Sequence, residues 1–485
     1  MTVGSGPSVA IIGAGMSGLC MAAKLQDAGM DAFTIFEKAD EVGGTWRDNT
    51  YPGLHCDVPS RYYTYSFAPN PEWSRLMPPG AEIQDYFRRT VDVRGIARHI
   101  RFGSDVTSAE YRAGRWYVTT SAGEEAFDVL VTATGVLRVP RYPDIPGLDS
   151  FAGPTFHSSR WDHSVALPDK RIGLIGTGST GVQITAELGG NVRELRVFQR
   201  TAQWVCPWPN VRYKRTTRAL MRKWPGLTQP GYLFWGWFVR KTFGRAPIRP
   251  GFARTLYQTL CRVNLRLSVR DRELRQELSP PDQPMCKRMI FSGQFYRSVQ
   301  KPGVKVVTDA IDRVEPRGVV TVDGTLHELD LLVLATGFDA RAYVRPMHIV
   351  GERGITLDEA WEDGPFAYRS VAVPGFPNLF MLMGPHSPIG NQSLVPIAED
   401  QAEYALWWIK QIAEGRVTAA APTEAATKEY NEDMKAAMPQ TIWVTGCSSW
   451  YLGKDGLPEL FPWTPERHRE LLKSPDLGDF DIHST

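Results

Sequence analysis

Two short glycine-rich segments in the sequence have the spacing of dinucleotide-binding turns. Each follows a short apolar run and precedes a helical pattern, in the order strand, tight turn, helix. Such a turn lets backbone N–H groups approach a pyrophosphate, and the helix N-terminus behind it favours negative charge. The first segment contains Gly13, Gly15 and Gly18, and the second contains Gly176, Thr177, Gly178, Ser179, Thr180 and Gly181. The two segments therefore predict two nucleotide sites.

The charged residue that follows the next predicted strand differs between the two segments. Glu37 lies 24 residues after Gly13, where its carboxylate can accept hydrogen bonds from a ribose 2′-hydroxyl. Arg200 lies at the same spacing from Gly176 and is followed by Thr201, and its guanidinium can pair with a 2′-phosphate. The pattern predicts FAD at the first site and NADPH at the second.

Two longer motifs resemble those of Baeyer–Villiger monooxygenases, a family of flavin-dependent oxygenases. The segment FAGPTFHSSRWD, from Phe151 to Asp162, is similar to the family fingerprint FxGxxxHxxxW(P/D), and the segment from Gly43 to Asp57 resembles GGxWxxxxYPGxxxD. The order of motifs is similar over essentially the whole chain. The resemblance implies an NADPH- and O2-dependent enzyme that inserts one oxygen atom next to a ketone carbonyl, through a C4a-peroxyflavin, and so forms an ester or lactone.

The resemblance also implies roles for individual residues. It places Lys287 on the 2′-phosphate of NADPH and Arg288 beside the flavin, with Asp57 adjusting the charge of that arginine. A permanently charged guanidinium would stabilise an anionic peroxide and the oxyanion formed on an attacked ketone. Further contacts to FAD are implied for Gly44, Thr45, Trp46, Tyr63, Val106 and Ser393.

Length and composition describe a folded protein of two or three domains. The chain has 485 residues, of which 42% are hydrophobic and 22% charged, which excludes a small binding module and long disorder. The expected fold class is α/β, with two Rossmann-like dinucleotide-binding domains and a helical insertion. The expected boundaries are 1–145 and 372–485 for the two parts of the FAD domain, 146–205 and 285–371 for the two parts of the NADPH domain, and 206–284 for the insertion.

The expected insertion is strongly basic and rich in tryptophan. Between Ala202 and Met285 there are 16 Lys and Arg residues against 4 Asp and Glu. Amphipathic helices are expected over Thr216–Lys223 and Phe252–Leu278, and the apolar stretch Tyr232–Val239 is far shorter than the ~20 residues that a membrane span needs. No transmembrane segment and no nucleic-acid partner are expected. Peripheral membrane contact through the insertion and the oligomeric state are left open.

Six cysteines lie far apart without a CxxC pair, which indicates neither a disulfide framework nor a metal site. A cytoplasmic protein is therefore expected. A dithiol reductase is disfavoured for the same reason, and the expected reactants are a small apolar ketone and O2. Two alternatives remain open: an N- or S-oxidising flavin monooxygenase that acts on a sulfide, amine or thioamide, and a non-catalytic FAD-binding redox or interaction protein.

Overall fold

The computed structural model describes residues 6–447 and 449–484. Before the insertion the chain forms β1 (Val9–Ile12), α1 (Met16–Asp27), β2 (Phe33–Phe36), α2 (Thr45–Asp48), α3 (Gly80–Arg94), β3 (Ile100–Arg101), β4 (Ser108–Arg112), β5 (Arg115–Thr120), β6 (Gly123–Phe127), β7 (Val129–Thr132), β8 (Thr155–His157), β9 (Arg171–Ile175), α4 (Ser179–Leu188), β10 (Glu194–Phe198) and β11 (Val205–Cys206). The insertion and the segment after it form α5 (Arg215–Lys223), α6 (Gln229–Lys241), α7 (Phe252–Ser268), α8 (Arg272–Glu277), β12 (Ile290–Phe291), α9 (Phe295–Ser298), β13 (Val304–Val307), β14 (Ile311–Glu315), β15 (Gly318–Thr321), β16 (Leu326–Glu328) and β17 (Leu331–Leu334). The C-terminal part forms β18 (His348–Val350), α10 (Leu357–Ala360), β19 (Leu379–Met381), α11 (Leu394–Ala413), β20 (Ala419–Pro422), α12 (Glu424–Ala437), α13 (Pro465–Leu471) and β21 (Phe480–His483).

Two five-stranded parallel sheets share one order over four strands and differ in the fifth, which is the last in sequence in the first sheet (β19) and the first in sequence in the second (β8). The first sheet runs β3-β2-β1-β7-β19 and the second runs β13-β10-β9-β17-β8. In each sheet the central strand, β1 or β9, leads into a glycine-rich turn and then a helix, which is the arrangement of a dinucleotide-binding fold. The expected α/β class with two Rossmann-like domains is confirmed. We call the parts built on the first and second sheets the first and second domain.

A matching aspartate fixes the start of each central strand. Asp128 accepts a hydrogen bond from the backbone N–H of Ser8 at 2.7 Å, and Asp330 accepts one from the backbone N–H of Arg171 at 2.8 Å. Each aspartate directly precedes the strand that pairs with the central one, β7 or β17. The two contacts therefore set the same alignment of strands in both sheets.

The insertion leaves the second domain after β11 and rejoins it through β12, and these two strands pair in parallel. The helix expected over Phe252–Leu278 is in fact two helices, α7 and α8. Asp271 interrupts it, because its side chain accepts a hydrogen bond from the N–H of Leu274 at 2.7 Å and starts a new helix as an N-cap. The β11–β12 pair brings the segment with Lys287 and Arg288 close to the segment that follows Arg200.

The chain returns to the first domain earlier than the boundary expected at 371/372. Strand β18 pairs with β4, in a four-stranded sheet of order β18-β4-β5-β6. Tyr343, Val344 and Met347 lie in the same buried cluster as the first-domain residue Trp116. The strand pairing thus assigns the chain to the first domain from His348 onwards.

Within the described ranges, no helix is both long enough and apolar enough to cross a bilayer. The apolar stretch Tyr232–Val239 lies inside α6, which has 13 residues. The 20-residue α11 carries charged side chains, including Asp400 and Lys410.

Cys286 and Cys447 form a disulfide bond, which corrects the expectation of no disulfide. Spacing along the sequence did not indicate it, because the two cysteines are 161 residues apart and only the fold brings them together. The bond ties the residue before Lys287 to the C-terminal segment that leads to Tyr451. The compartment remains a prediction, since its cysteine argument assumed free thiols.

We expect this disulfide to be detectable and to stabilise the fold. In denaturant without reductant, four thiols should react, from Cys20, Cys56, Cys206 and Cys261, and six should react after reduction. Cys447→Ser should lower the free energy of unfolding by about 2–4 kcal/mol, because the tether constrains the unfolded chain. Thiol titration and chemical denaturation measure both effects.

Reductant provides the control for this experiment. With both proteins reduced, the difference in stability between the native chain and Cys447→Ser should largely disappear. Six reactive thiols in the unreduced native protein would contradict the disulfide.

Candidate active site

The first glycine-rich turn leaves the start of α1 open to a ligand. Gly13 has φ of +107°, and a Cβ there would lie 2.8 Å from the carbonyl oxygen of Ala133. A Cβ on Gly18 would lie 1.9 Å from the carbonyl oxygen of Gly13. Gly15 precedes the helix, and a Cβ on Gly44 would lie 3.2 Å from the Cα of Gly15. The backbone is packed so closely here that side chains are excluded and the helix N-terminus stays accessible.

The second turn repeats this geometry at the start of α4. Gly176 has φ of +109°, and a Cβ there would lie 2.4 Å from the carbonyl oxygen of Ala335. A Cβ on Gly181 would lie 2.0 Å from the carbonyl oxygen of Gly176. Thr177 donates a hydrogen bond from its hydroxyl to the carbonyl oxygen of Thr201 at 3.1 Å, which joins the turn to the end of the next strand. Gly178 precedes α4, and Ser179 and Thr180 are its first two residues.

Glu37 and Arg200 follow equivalent strands, β2 and β10, but have different surroundings. Glu37 is buried and accepts hydrogen bonds from the N–H groups of Ala14, at 2.8 Å, and Ala39, at 3.0 Å. Its carboxylate also pairs with Arg47 at 2.9 Å. Arg200 is exposed. The buried acid lies directly against the first glycine turn, whereas the exposed guanidinium is accessible to an anion from solvent.

Lys287 forms an ion pair that the sequence did not predict. Its Nζ lies 2.8 Å from Oδ2 of Asp282, and both side chains are mostly buried. Lys287 lines a small cavity together with Ala202 and Trp204, close to the end of β10. The lysine is therefore near the expected 2′-phosphate position, and a phosphate would have to compete with Asp282 for its charge.

Arg288 and Asp57 form an ion pair between residues 231 positions apart in sequence. Nη2 and Nε of Arg288 both donate to Oδ2 of Asp57, at 2.8 and 3.2 Å. The side chains of Arg288 and Asp57 are 35% and 22% exposed, so the pair is partly withdrawn from solvent. The Asp57 carboxylate raises the pKa of the Arg288 guanidinium above its usual range, although burial acts in the opposite direction. Arg288 therefore presents a permanent positive charge.

The loop that carries Asp57 is held by a glutamine of the second domain. Gln183, on α4, accepts a hydrogen bond at 2.9 Å from the hydroxyl of Tyr51 and donates one at 2.9 Å to the carbonyl oxygen of His55. A Cβ on Gly53 would lie 2.8 Å from the carbonyl oxygen of Gln183. The segment Tyr51-Pro52-Gly53 thus connects the two domains next to Asp57. Sequence reasoning missed Gln183, because nothing in the local pattern of α4 indicates a partner in the first domain.

The other residues expected to contact FAD fall into two groups, which lie on opposite faces of the first sheet. Thr45 begins α2, and the neighbouring Trp46 donates a hydrogen bond from Nε1 to the hydroxyl of Tyr63 at 2.9 Å. Tyr63 is buried, and burial raises its pKa. Val106 is also buried, but in the cluster on the other face of the first sheet. The structure thus connects Trp46 directly to Tyr63, while Val106 lies apart from them.

Ser393 provides a test of whether the residues present fit FAD. It precedes α11, which packs along α1. Ser393 is buried, and within the described residues its Oγ has no hydrogen-bond partner; the same is true of Oε1 of the neighbouring Gln392. Buried polar atoms nearly always have partners, so these two atoms indicate a polar ligand. Together with the glycine turn and Glu37, they fit FAD.

Tyr451 is a candidate site residue that the sequence analysis did not identify. It is buried, and its hydroxyl has no hydrogen-bond partner in the described part of the chain. Burial raises the pKa of Tyr451 to about 12, and the charge of Arg288 acts against this rise. Cys447, four residues before Tyr451, is held in place by its disulfide bond to Cys286. Tyr451 therefore adds a neutral hydroxyl to the surroundings of Arg288.

The family fingerprint from Phe151 to Asp162 builds the frame of the second domain. A Cβ on Gly153 would lie 2.8 Å from the carbonyl oxygen of Asp330. His157 is fully buried, and its Nε2 bonds to the carbonyl oxygen of Gly337 at 3.0 Å. Burial lowers the pKa of His157. These contacts make His157 a hydrogen-bonded structural residue of the second domain.

Comparisons with known proteins agree with this geometry. Residues 6–212 match the family described as flavin-binding monooxygenase-like. An uncharacterized monooxygenase of Mycobacterium tuberculosis is 52% identical over 98% of this chain and 96% of its own length. A Baeyer–Villiger monooxygenase of Streptomyces coelicolor is 37% identical over 98% of this chain and 92% of its own.

Solved structures are similar over the full length as well. The closed crystal structure of cyclohexanone monooxygenase superposes with a TM-score of 0.86 at 29% identity, over 99% of both chains. The crystal structure of OTEMO in complex with FAD and NADP gives a TM-score of 0.87 at 27% identity, over 98% of this chain and 99% of that one. The chain therefore belongs to the Baeyer–Villiger monooxygenase family of flavin-binding monooxygenases.

Proposed function

We propose that this protein uses FAD, NADPH and O2 to convert a small apolar ketone into an ester or lactone. The observation that carries the proposal is the Arg288–Asp57 ion pair, which joins the first domain to the segment next to β12. Membership of the family supports it, as do the names of the relatives, among them a Baeyer–Villiger monooxygenase and cyclohexanone monooxygenase.

Each of the two glycine turns would bind a different cofactor. The first turn, Glu37 and the orphaned atoms of Gln392 and Ser393 would hold FAD. The second turn and Arg200 would hold NADPH, since an exposed guanidinium can pair with the 2′-phosphate. FAD, when bound, would accept hydride from NADPH and supply the oxygen atom derived from O2.

Arg288 would stabilise negative charge that develops during oxygen transfer. Attack on a ketone converts its carbonyl oxygen to an oxyanion, and a fixed cation nearby lowers the barrier. Two of the five N–H groups of the guanidinium donate to Asp57, so the other three can donate elsewhere. Asp57 fixes the plane of the guanidinium and moderates its charge, which would keep the arginine positioned while the positively charged NADP+ is nearby.

The surroundings of Arg288 favour an apolar substrate. Met285 and Met289 on either side of it in sequence are buried in one cluster with Trp443 and Tyr451. An apolar wall around one strong cation suits a molecule with a single polar carbonyl group. The flexible methionine side chains can adapt to different ketone shapes.

Labelling with isotopic oxygen tests the proposed function. Purified holoprotein with NADPH, a panel of apolar ketones and 18O2 should give esters or lactones that carry one 18O atom, as measured by mass spectrometry. Arg288→Ala should retain FAD but form ester about 100-fold or more slowly, because the cation is lost. Arg288→Lys should also be strongly impaired, since an ammonium lacks the planar fork that Asp57 holds.

The matched control is Arg313→Ala, which removes an exposed arginine from β14 and should leave ester formation unchanged. Oxidation of sulfides or amines in the absence of any ester would favour heteroatom oxidation instead. Protein that retains FAD but oxidises no NADPH would indicate a non-catalytic flavoprotein.

The choice of nucleotide provides a second prediction. Arg200→Ala should weaken the binding of NADPH by roughly 1.5–3 kcal/mol, because one charge-assisted contact to the 2′-phosphate is lost. The binding of NADH, which lacks this phosphate, should be nearly unaffected. The KM values for both nucleotides measure the effect. Arg193→Ala, at the opposite end of β10, is the matched control and should not discriminate between them. An equal loss for NADPH and NADH with Arg200→Ala would show that this residue does not read the phosphate.

A further inference from the structure

Consecutive elements of the insertion expose large apolar side chains. They lie on α5, on the short turn Pro225–Thr228 and on α6, which follow one another and pack together. Each side chain is between 41% and 57% exposed. We call this group the aromatic face, and its members are Leu220, Trp224, Leu227, Leu233, Phe234 and Trp237.

The two sides of α6 show that this exposure is directional. On one side, a Cβ on Gly236 would lie 2.9 Å from the ring of Tyr62, and Val239 is buried. The rings of Tyr232 and Tyr62 also meet, at 5.7 Å between centroids. Leu233, Phe234 and Trp237 share the opposite side, as their spacing on a helix requires. The exposed apolar side of α6 therefore points away from the protein body.

Helix α5 contacts the body of the protein through ion pairs and not through buried apolar side chains. None of its nine residues is buried. A helix this short is marginal in water without a packed apolar face. The helix carries one leucine, Leu220, among several cationic side chains. This composition suits contact with a surface that is negatively charged and can bury the leucine.

The sequence segment that carries the aromatic face has charges of a single sign. From Ala202 to Arg270 the sequence contains no Asp or Glu. Arg218 and Arg222 are held by Glu72 of the first domain. Lys214, Arg215 and Lys223 are exposed on and next to α5, and Nζ of Lys223 lies 4.8 Å from the ring centroid of Trp224. Exposed tryptophan and leucine bordered by lysine and arginine are typical of helices that lie in the interface of an anionic membrane.

We propose that the aromatic face docks on the surface of an anionic lipid bilayer. The apolar side chains would enter the boundary between headgroups and acyl chains, and the cations would contact lipid phosphates. A symmetric pairing with a second copy is disfavoured, because it would bring the same basic surface of each copy together. A line of ring contacts runs from this face inwards, from Phe234 to Phe238, then to Trp208 and to Phe291 of β12, three residues after Arg288. Lipid binding itself does not rest on the proposed function.

Vesicle flotation tests the proposal. The native holoprotein should float with vesicles of equimolar phosphatidylcholine and phosphatidylglycerol, bind pure phosphatidylcholine vesicles much less, and dissociate at high salt. The triple variant Leu233→Ser/Phe234→Ser/Trp237→Ser should bind anionic vesicles with an affinity lower by roughly tenfold or more. The matched control Val93→Ser/Phe102→Ser removes exposed apolar side chains from the first domain and should bind like the native protein.

Two further measurements keep the result interpretable. Thermal unfolding should show that the triple variant is folded, since the three side chains point away from the body. Light scattering measures self-association. Failure of the native protein to float with anionic vesicles, or equal flotation of the triple variant, would overturn the proposal. A dimer that the triple variant abolishes, without flotation of the native protein, would assign the face to a second copy instead.

Discussion

The ion pair between Asp57 and Arg288 is the constraint on which the arrangement of the site depends. Its partners come from a loop of the first domain and from the segment that rejoins the second domain after the insertion. A charge pair withdrawn from solvent is costly to break, because either partner alone would leave a poorly solvated charge. The fold therefore has to hold two segments that are distant in sequence in fixed positions relative to each other. Several separate contacts do so.

Those contacts act on both sides of the pair. Gln183 fixes the Asp57 loop against α4, which starts at the second glycine turn, so the position of Asp57 depends on the second domain. On the other side, the β11–β12 pair and the disulfide of Cys286 hold the segment of Arg288. In both sheets the glycine turn directly follows the central strand, so both turns lie at the carboxyl ends of their central strands. The pair thus links two nucleotide sites of the same design.

Local patterns were enough to predict the two nucleotide turns and the opposite charges of Glu37 and Arg200, because these features depend on spacing within one strand-turn-helix unit. The family resemblance implied that Asp57 and Arg288 act together beside the flavin, and the structure places the two side chains in contact. The ion pair of Lys287 with Asp282, the role of Gln183, the disulfide and the return of the chain at β18 could not be read from the sequence. Each is a contact made by the fold that no local periodicity or spacing encodes. The break between α7 and α8, in contrast, could have been predicted from the sequence. Asp271 is an aspartate of the kind that caps helix N-termini, and the prediction of one long helix overlooked it.

The central claim is that Asp57 acts through Arg288, and a double-mutant cycle tests it most directly. The rate of ester formation would be measured for the native holoprotein, Asp57→Ala, Arg288→Ala and the double variant, with FAD content as the control for folding. If the two residues work as one unit, the double variant will be no slower than Arg288→Ala alone. If instead the two losses multiply, Asp57 contributes independently of the arginine and the account is contradicted.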